Sequence, residues 1–218
     1  SPAGRGRGRA RVLTRLASPE TTPRGRDCPC HHLAVSFVVS ARLMQTPAAD
    51  RLQVVEDALI AVDDGGRITA VEEAGSEAGG ALLRSASASV ATPPGSVLIP
   101  GLVDLHVHAP QWPQLGTGLD LPLERWLFEH TFPLEARYAD PSFARPVWTD
   151  MVDTLLRHGT TTATYFATID VEAASALARV AVDAGQRAFI GRVAMDHPDG
   201  TPEWYRDHSA AALRGHPL

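Results

Sequence analysis

Residues 97–218 alternate between two hydrophobic rhythms, and this alternation restricts the fold more than any other feature of the chain. Runs of β-branched and aromatic residues with strand character are separated by stretches with helical spacing. Strands are predicted at residues 97–108, 160–168 and 187–195, and the main helices at residues 140–159 and 170–185. A strand–helix alternation of this kind predicts parallel strands joined by helical crossovers, and therefore an α/β fold.

The longer helix carries clear signals at both of its ends. Asp140 suits the capping position, Pro141 suits the first turn, and Gly159 suits the position after the last turn. Its apolar stripe is predicted from residues four apart, namely Phe143, Val147, Met151 and Leu155. Pro146 predicts a kink or a later start. Two shorter helices are predicted, at residues 123–130 and from Thr201 onward.

The part of the chain before residue 97 predicts a small β domain. Three strands are expected at residues 35–40, 58–63 and 67–72, and residues 74–96 are expected to form a loop because they are mainly Gly, Ala and Ser. Asp64-Gly65-Gly66 predicts a hairpin turn. The predicted organisation is a leader (1–33), the first part of a small β domain (34–96) and the first part of a barrel (97–218).

The leader is rich in Arg, Gly and Pro and has no hydrophobic period, so we expect it to be disordered. An organelle transit peptide and a non-native upstream extension both remain open as its origin. Cys28-Pro-Cys30-His31-His32 resembles a metal tract, but it has no second half and is interpreted as incidental. The two cysteines form no disulfide framework, which favours a reducing compartment and a cytoplasmic protein.

Composition excludes several classes of function. The net charge of -5 argues against a nucleic-acid partner. No stretch of about 18 apolar residues is present to span a membrane. A small-molecule substrate remains the expected partner.

The stretch from Pro100 to Trp112 contains the residues with the strongest chemical signal. In a strand, side chains two apart point to the same face, so Asp104, His106 and His108 are expected to share a face at the strand's end. Parallel α/β units place their active sites at the carboxyl ends of strands. Neutral imidazole is a common zinc ligand, so His106 and His108 are predicted to bind a metal ion together. Asp104 either orients an imidazole or bonds to backbone.

The residues after the histidine pair suggest a place for the substrate. Gln111 offers both a donor and an acceptor and is predicted to bind a planar, amide-like molecule. Trp112 either stacks on that molecule or covers the mouth of the barrel as packing. Asp196, at the end of a predicted strand, either faces the site or caps a loop.

The stretch Pro-Gly-Leu-Val-Asp-Leu-His-Val-His resembles the first-strand signature of the amidohydrolase superfamily. Within it, three further stretches resemble the guanine deaminase family: residues 106–112 (HVHAPQW), residues 123–136, and residues 159–168 (GTTTATYFAT) followed by 185–191 (GQRAFIG) and Met195-Asp196. The resemblance runs from about residue 35 to residue 206, and the leader has no counterpart in it.

The resemblance implies a partial (β/α)8 TIM-like barrel of a metal-dependent hydrolase, preceded by a small β-sandwich domain. It implies one zinc ion per subunit with His106 and His108 as ligands, guanine contacts from Gln111 and the neighbouring Ala109 and Pro110, and a homodimer for the complete enzyme. The implied reaction is hydrolysis of guanine to xanthine and ammonia.

The remaining zinc ligands and the acid-base glutamate of the family have no match up to Leu218, so we expect this chain alone to be inactive. The nearest alternative is another amidohydrolase, such as a cytosine or triazine-type deaminase or a chlorohydrolase. A second alternative is a non-catalytic truncated isoform or scaffold.

Overall fold

The computed structural model describes residues 35–207, which fall into two compact units that divide between Gly101 and Leu102. The predicted leader, with its Cys-His tract, lies outside the described residues. Within the described range, no helix has the length and apolar character needed to cross a membrane.

The first unit is a mixed sheet. Its strands are β1 (Val35–Ala48), β2 (Arg51–Asp63), β3 (Ile68–Glu73), β4 (Ala88–Ala91) and β5 (Val97–Leu98). The order is β3-β2-β1-β4, with β1, β2 and β3 antiparallel, and both β4 and β5 pair in parallel with β1. The three predicted strands are confirmed, and β1 and β2 are longer than expected. Gly66 takes a φ of 76° in the predicted hairpin turn.

The prediction of a loop at residues 74–96 is wrong, because this segment contains helix α1 (Glu77–Ser85) as well as β4. Ser76 caps the helix, and its Oγ accepts a hydrogen bond of 2.9 Å from the Gly79 N–H. Leu82 packs against buried side chains of the sheet. One cap and this packing hold the helix despite the low helix propensity of its two glycines.

The second unit contains a three-stranded parallel sheet in the order β6-β7-β8. The strands are β6 (Leu102–His108), β7 (Thr160–Phe166) and β8 (Arg187–Gly191). Helix α4 (Pro141–Arg157) connects β6 to β7, and helix α5 (Val171–Ala184) connects β7 to β8. The predicted parallel strands with helical crossovers are therefore confirmed, although β7 and β8 end earlier than expected.

A single strand over residues 97–108 is not observed. Val97–Leu98 pairs with β1 as β5, whereas β6 begins at Leu102. Pro100 has no N–H to donate to a ladder, and Gly101 weakens strand structure, so the chain leaves one sheet before it enters the other.

The predicted short helix at residues 123–130 extends further. Helix α2 (Leu123–Trp126) runs into a π-helical turn (Leu127–Thr131), then into α3 (Phe132–Glu135) and a 3-10 turn (Ala136–Ala139). Pro133 lacks an N–H, and its ring would meet the carbonyl four residues earlier in a regular α-helix. The wider π turn, in which the Phe132 N–H reaches the Leu127 carbonyl, avoids this conflict.

Helix α4 begins and ends as predicted but buries a different stripe. The Asp140 side chain accepts from the Ser142 N–H at 2.8 Å, and Gly159 takes a φ of 93° after the last turn. The helix continues through Pro146. Of the predicted stripe only Met151 is fully buried; the other buried residues are Ala144, Trp148, Val152 and Leu156. Val147 lies at the edge of the core, and Trp148 occupies its centre.

The signals for α5 are confirmed at both ends. Asp170 Oδ1 accepts from the Ala173 N–H at 2.7 Å, and Gly185 takes a φ of 76°. The helix predicted from Thr201 is a 3-10 turn (Glu203–Tyr205) in the described part of the chain.

Gln186 joins the beginning and the end of β7 to the turn after α5. Its Oε1 accepts from the Tyr165 hydroxyl at 2.6 Å, and its Nε2 donates to the Thr160 carbonyl at 3.0 Å. All three groups are in the interior, where an unpaired polar atom is costly. Burial raises the pKa of Tyr165 to about 12, so its hydroxyl stays a donor.

We expect Gln186→Leu to lower the free energy of unfolding by about 1–3 kcal/mol, because the Tyr165 hydroxyl and the Thr160 carbonyl both lose their partner. Urea denaturation of the 218-residue chain measures this. The double substitution Gln186→Leu with Tyr165→Phe should recover part of the loss, since it leaves one unpaired group instead of two. An unchanged midpoint for Gln186→Leu would show that the network does not stabilise the unit.

Candidate metal and substrate site

His106 and His108 lie at the carboxyl end of β6, and their rings meet on one side of the strand. The two Nε2 atoms are 3.1 Å apart. This is the expected result of residues two apart in a strand, whose side chains leave the backbone in the same direction. The structure thus brings together the two predicted ligand residues.

The pair fits a shared metal ion. Two imidazole nitrogens bound at ~2.05 Å to one tetrahedral zinc ion lie about 3.3 Å apart, which is close to the observed separation. Among residues 35–207, no cluster of three or more His, Cys, Asp or Glu side chains is arranged to hold a metal. Of the described residues, His106 and His108 are the pair that could hold a metal ion together.

Phe166, the last residue of β7, packs against both imidazoles. Its ring centroid is 4.6 Å from that of His106 and 5.2 Å from that of His108. The contact follows from the parallel register, which pairs His108 with Phe166. Burial, and then the nearby His106, lower the pKa of His108 and favour its neutral, metal-binding form.

Asp104 bonds to the backbone. Its Oδ1 accepts from the His106 N–H at 3.1 Å. Of the two roles that the sequence left open, the structure shows the backbone bond, which steadies the strand just before the histidine pair.

The six residues after His108 form a short 3-10 helix, Ala109–Gln114, which we call the platform helix. Its first two residues, Ala109 and Pro110, have fully buried side chains. The Tyr138 hydroxyl donates to the Pro110 carbonyl at 2.9 Å. The prediction that Ala109 and Pro110 contact the base stays a prediction; their side chains here support the helix.

Gln111 is half-buried on the platform helix and bonds to a carboxyl group that the sequence analysis missed. Its Nε2 donates to Glu135 Oε1 at 3.4 Å, and the Tyr205 hydroxyl donates to Glu135 Oε2 at 2.8 Å. Glu135 is only 4% exposed. Burial raises the pKa of Glu135, against the lowering effect of the bonds from Tyr205 and Gln111.

Glu135 lies just past the end of the predicted short helix, in sequence that predicts no site. Its partners are 24 and 70 residues away along the chain. The one available signal was a charged residue within an otherwise apolar run, Phe132-Pro-Leu-Glu135.

The histidines His158 and His197 form their hydrogen bonds with neighbouring backbone groups and not with the histidine pair. The Nδ1 of His158 lies 2.8 Å from the Thr154 carbonyl at the end of α4. His197 Nδ1 accepts from the N–H groups of Asp199 and Gly200. Asp196 is exposed beyond β8, and His208 lies outside the described residues.

Comparison with known proteins identifies the family of the chain. The amidohydrolase family profile matches residues 97–215, more than half of the chain. The chain belongs to the amidohydrolase family. It is 40% identical to the human guanine deaminase over 161 residues, which cover 70% of this chain and 34% of that protein. The resemblance read from the motifs is therefore confirmed, and the chain spans about a third of this relative's length.

Solved structures of amidohydrolases and related deaminases share the fold. The guanine deaminase from C. acetobutylicum with bound guanine matches with a TM-score of 0.71 and 27% identity over 82% of this chain and 40% of that one. An adenosine deaminase from Xanthomonas campestris with bound zinc matches with a TM-score of 0.65 and 29% identity, covering 83% of this chain and 38% of that one.

Trp112 has a packing role in the structure. Its Nε1 donates to Asp150 Oδ2 on α4 at 2.8 Å, and its ring packs against the core of the second unit. The bond ties the platform helix to α4. This supports the packing alternative over stacking on a substrate.

We expect Trp112→Phe to lower the free energy of unfolding by about 1 kcal/mol through loss of the bond to Asp150. Urea denaturation measures the change, and Trp204→Phe is a matched control because that indole is largely exposed. Unchanged stability combined with weaker substrate binding by the complete protein would restore the stacking interpretation.

Proposed function

We propose that the protein hydrolyses guanine to xanthine and ammonia with a zinc ion held in part by His106 and His108. The observation that carries the proposal is the 3.1 Å separation of the two Nε2 atoms at the carboxyl end of a parallel strand. The similarity to guanine deaminases, one of them solved with guanine bound, supports the choice of substrate. The zinc bound by a related deaminase supports the choice of metal.

In this proposal each residue has one task. The Nε2 atoms of His106 and His108 hold the metal, and Phe166 restricts the motion of both rings. A zinc ion held there would lower the pKa of a water molecule to about 7 and so provide a nucleophile at neutral pH. Gln111 binds the base through its side-chain amide. The further ligands and the acid-base glutamate come from outside the described residues.

We extend the proposal to the fold. The sheet β6-β7-β8 represents the first three strands of a (β/α)8 barrel, and the strands before it belong to a small β-sandwich domain. The domains are those predicted from the sequence, 34–96 and 97–218, although the structural division falls after Gly101. Val103 and Leu105 are 59% and 69% exposed on β6, as expected for side chains that further barrel elements cover. A homodimer and a cytoplasmic location complete the proposal.

The test is zinc content measured together with guanine-to-xanthine turnover, on the 218-residue chain and on the protein extended to the next stop codon. We expect the extended protein to bind one zinc ion per subunit and to deaminate guanine, and the 218-residue chain to be inactive. His108→Ala in the extended protein should lose both zinc and turnover, because one imidazole leaves the ligand set incomplete. His158→Ala, which removes an imidazole at the end of α4, should keep both.

Other outcomes separate the alternatives. Retained zinc and turnover in His108→Ala would contradict the ligand assignment. A zinc-bound protein that ignores guanine but acts on adenosine or a triazine would place the chain with another deaminase or chlorohydrolase. An extended protein without zinc and without turnover would favour a non-catalytic scaffold.

A further inference from the structure

We propose that Glu135 is a positioning residue for base recognition, which holds the Gln111 side chain by accepting a hydrogen bond from its Nε2. The inference rests on the proposed function, since Gln111 is the residue proposed to bind the base. It adds a second residue, three elements further along the chain, that selects the orientation in which Gln111 meets its ligand.

The burial of Glu135 needs an explanation. A carboxyl group that is 4% exposed loses most of its hydration, and this cost is offset only by hydrogen bonds or opposite charge. Among the described residues it forms no ion pair, and its two oxygens accept from two uncharged donors, Gln111 and Tyr205. An apolar side chain of similar size would avoid the cost of desolvation. Fold stability accounts for the oxygen that pairs with the buried Tyr205 hydroxyl, whereas the second oxygen is directed to Gln111.

The bond to Glu135 fixes which atoms of Gln111 remain for a ligand. A side-chain amide that turns by half a rotation exchanges its carbonyl oxygen for its NH2 group, so a free glutamine offers either. A carboxylate only accepts, so it selects the orientation in which Nε2 faces Glu135. The Oε1 of Gln111 has no hydrogen-bond donor within residues 35–207 and is left to accept from the base.

The backbone of the platform helix is held independently of Glu135. Tyr138 bonds to the Pro110 carbonyl, Trp112 bonds to Asp150, and Gln114 Nε2 donates to Thr131 Oγ1 at 2.9 Å. Loss of the Glu135 carboxyl therefore frees the Gln111 side chain while the helix that carries it stays in place. This separation makes the role of Glu135 testable.

The test is a double-mutant cycle on guanine deamination by the extended protein, with zinc content measured for every variant. Gln111→Ala and Glu135→Leu should each raise KM about five- to tenfold, with kcat within about twofold, because each removes roughly one hydrogen bond from the recognition of the base. The double variant should be no worse than Gln111→Ala, since Glu135 acts through Gln111. All variants should bind one zinc ion.

The conservative variant separates positioning from chemistry. Glu135→Gln keeps one oxygen for Gln111, while the Tyr205 hydroxyl can turn to accept from the new NH2 group. We therefore expect its KM to stay within about threefold of the wild type. Glu129→Gln is the matched control, because it makes the same change at an exposed carboxyl that pairs with Arg125 and leaves Gln111–Glu135 intact; its KM should stay within about twofold.

Glu135→Leu leaves the Tyr205 hydroxyl unpaired, so it is also made in the Tyr205→Phe background, where the contact is apolar on both sides. Additive effects of Gln111→Ala and Glu135→Leu in an active enzyme would overturn the inference alone. The same holds if Glu135→Leu leaves KM unchanged, or if Glu135→Gln loses as much as Glu135→Leu. An extended wild type that does not deaminate guanine would overturn the proposed function, and the inference with it.

Discussion

The site depends on how the chain is held as it leaves β6. The residue after the histidine pair begins the platform helix, whose side chains and backbone bond to Thr131, Glu135, Tyr138 and Asp150. Bonds to several separate positions leave a six-residue helix little freedom to move as a body. A loop without them would place Gln111 at many positions, and ordering it would oppose ligand binding. The helices between β6 and β7 thus set the position of the residues that follow the strand.

The histidine pair depends on a different and more local constraint. Strand geometry places the side chains of His106 and His108 on one face, their rings converge to bring the Nε2 atoms to 3.1 Å, and the Phe166 ring packs against both imidazoles. Two protonated imidazoles at this distance would repel each other, and partial burial adds to the cost of charging His108. Both effects favour the neutral form of His108, and the neutral form of an imidazole is the one that coordinates a metal. A metal ion that binds at His108 would therefore displace few protons from this imidazole.

Local signals predicted a large part of this structure. Asp140, Asp170 and Gly185 marked helix ends correctly, because capping depends on residues within one turn. The parallel direction of β6, β7 and β8 followed from the strand–helix alternation. Helix α1 was missed because short side chains hide its packing. In α4, the prediction used a period of four residues, which departs from the helical period of 3.6. The predicted stripe therefore left out Trp148, which is buried in the core.

In the candidate site, too, local features were predicted and contacts between distant residues were not. The two histidines are two positions apart and were visible as a motif, whereas Gln111 meets Glu135 across 24 residues and Glu135 meets Tyr205 across 70. Contacts over such distances are products of the tertiary fold, and one sequence contains no signal for them. The positions of the histidine pair and of the Gln111 side chain therefore depend on separate contacts. Substitutions of Glu135 or Tyr205 can therefore alter the orientation of the Gln111 side chain, while His106 and His108 keep their places at the end of β6.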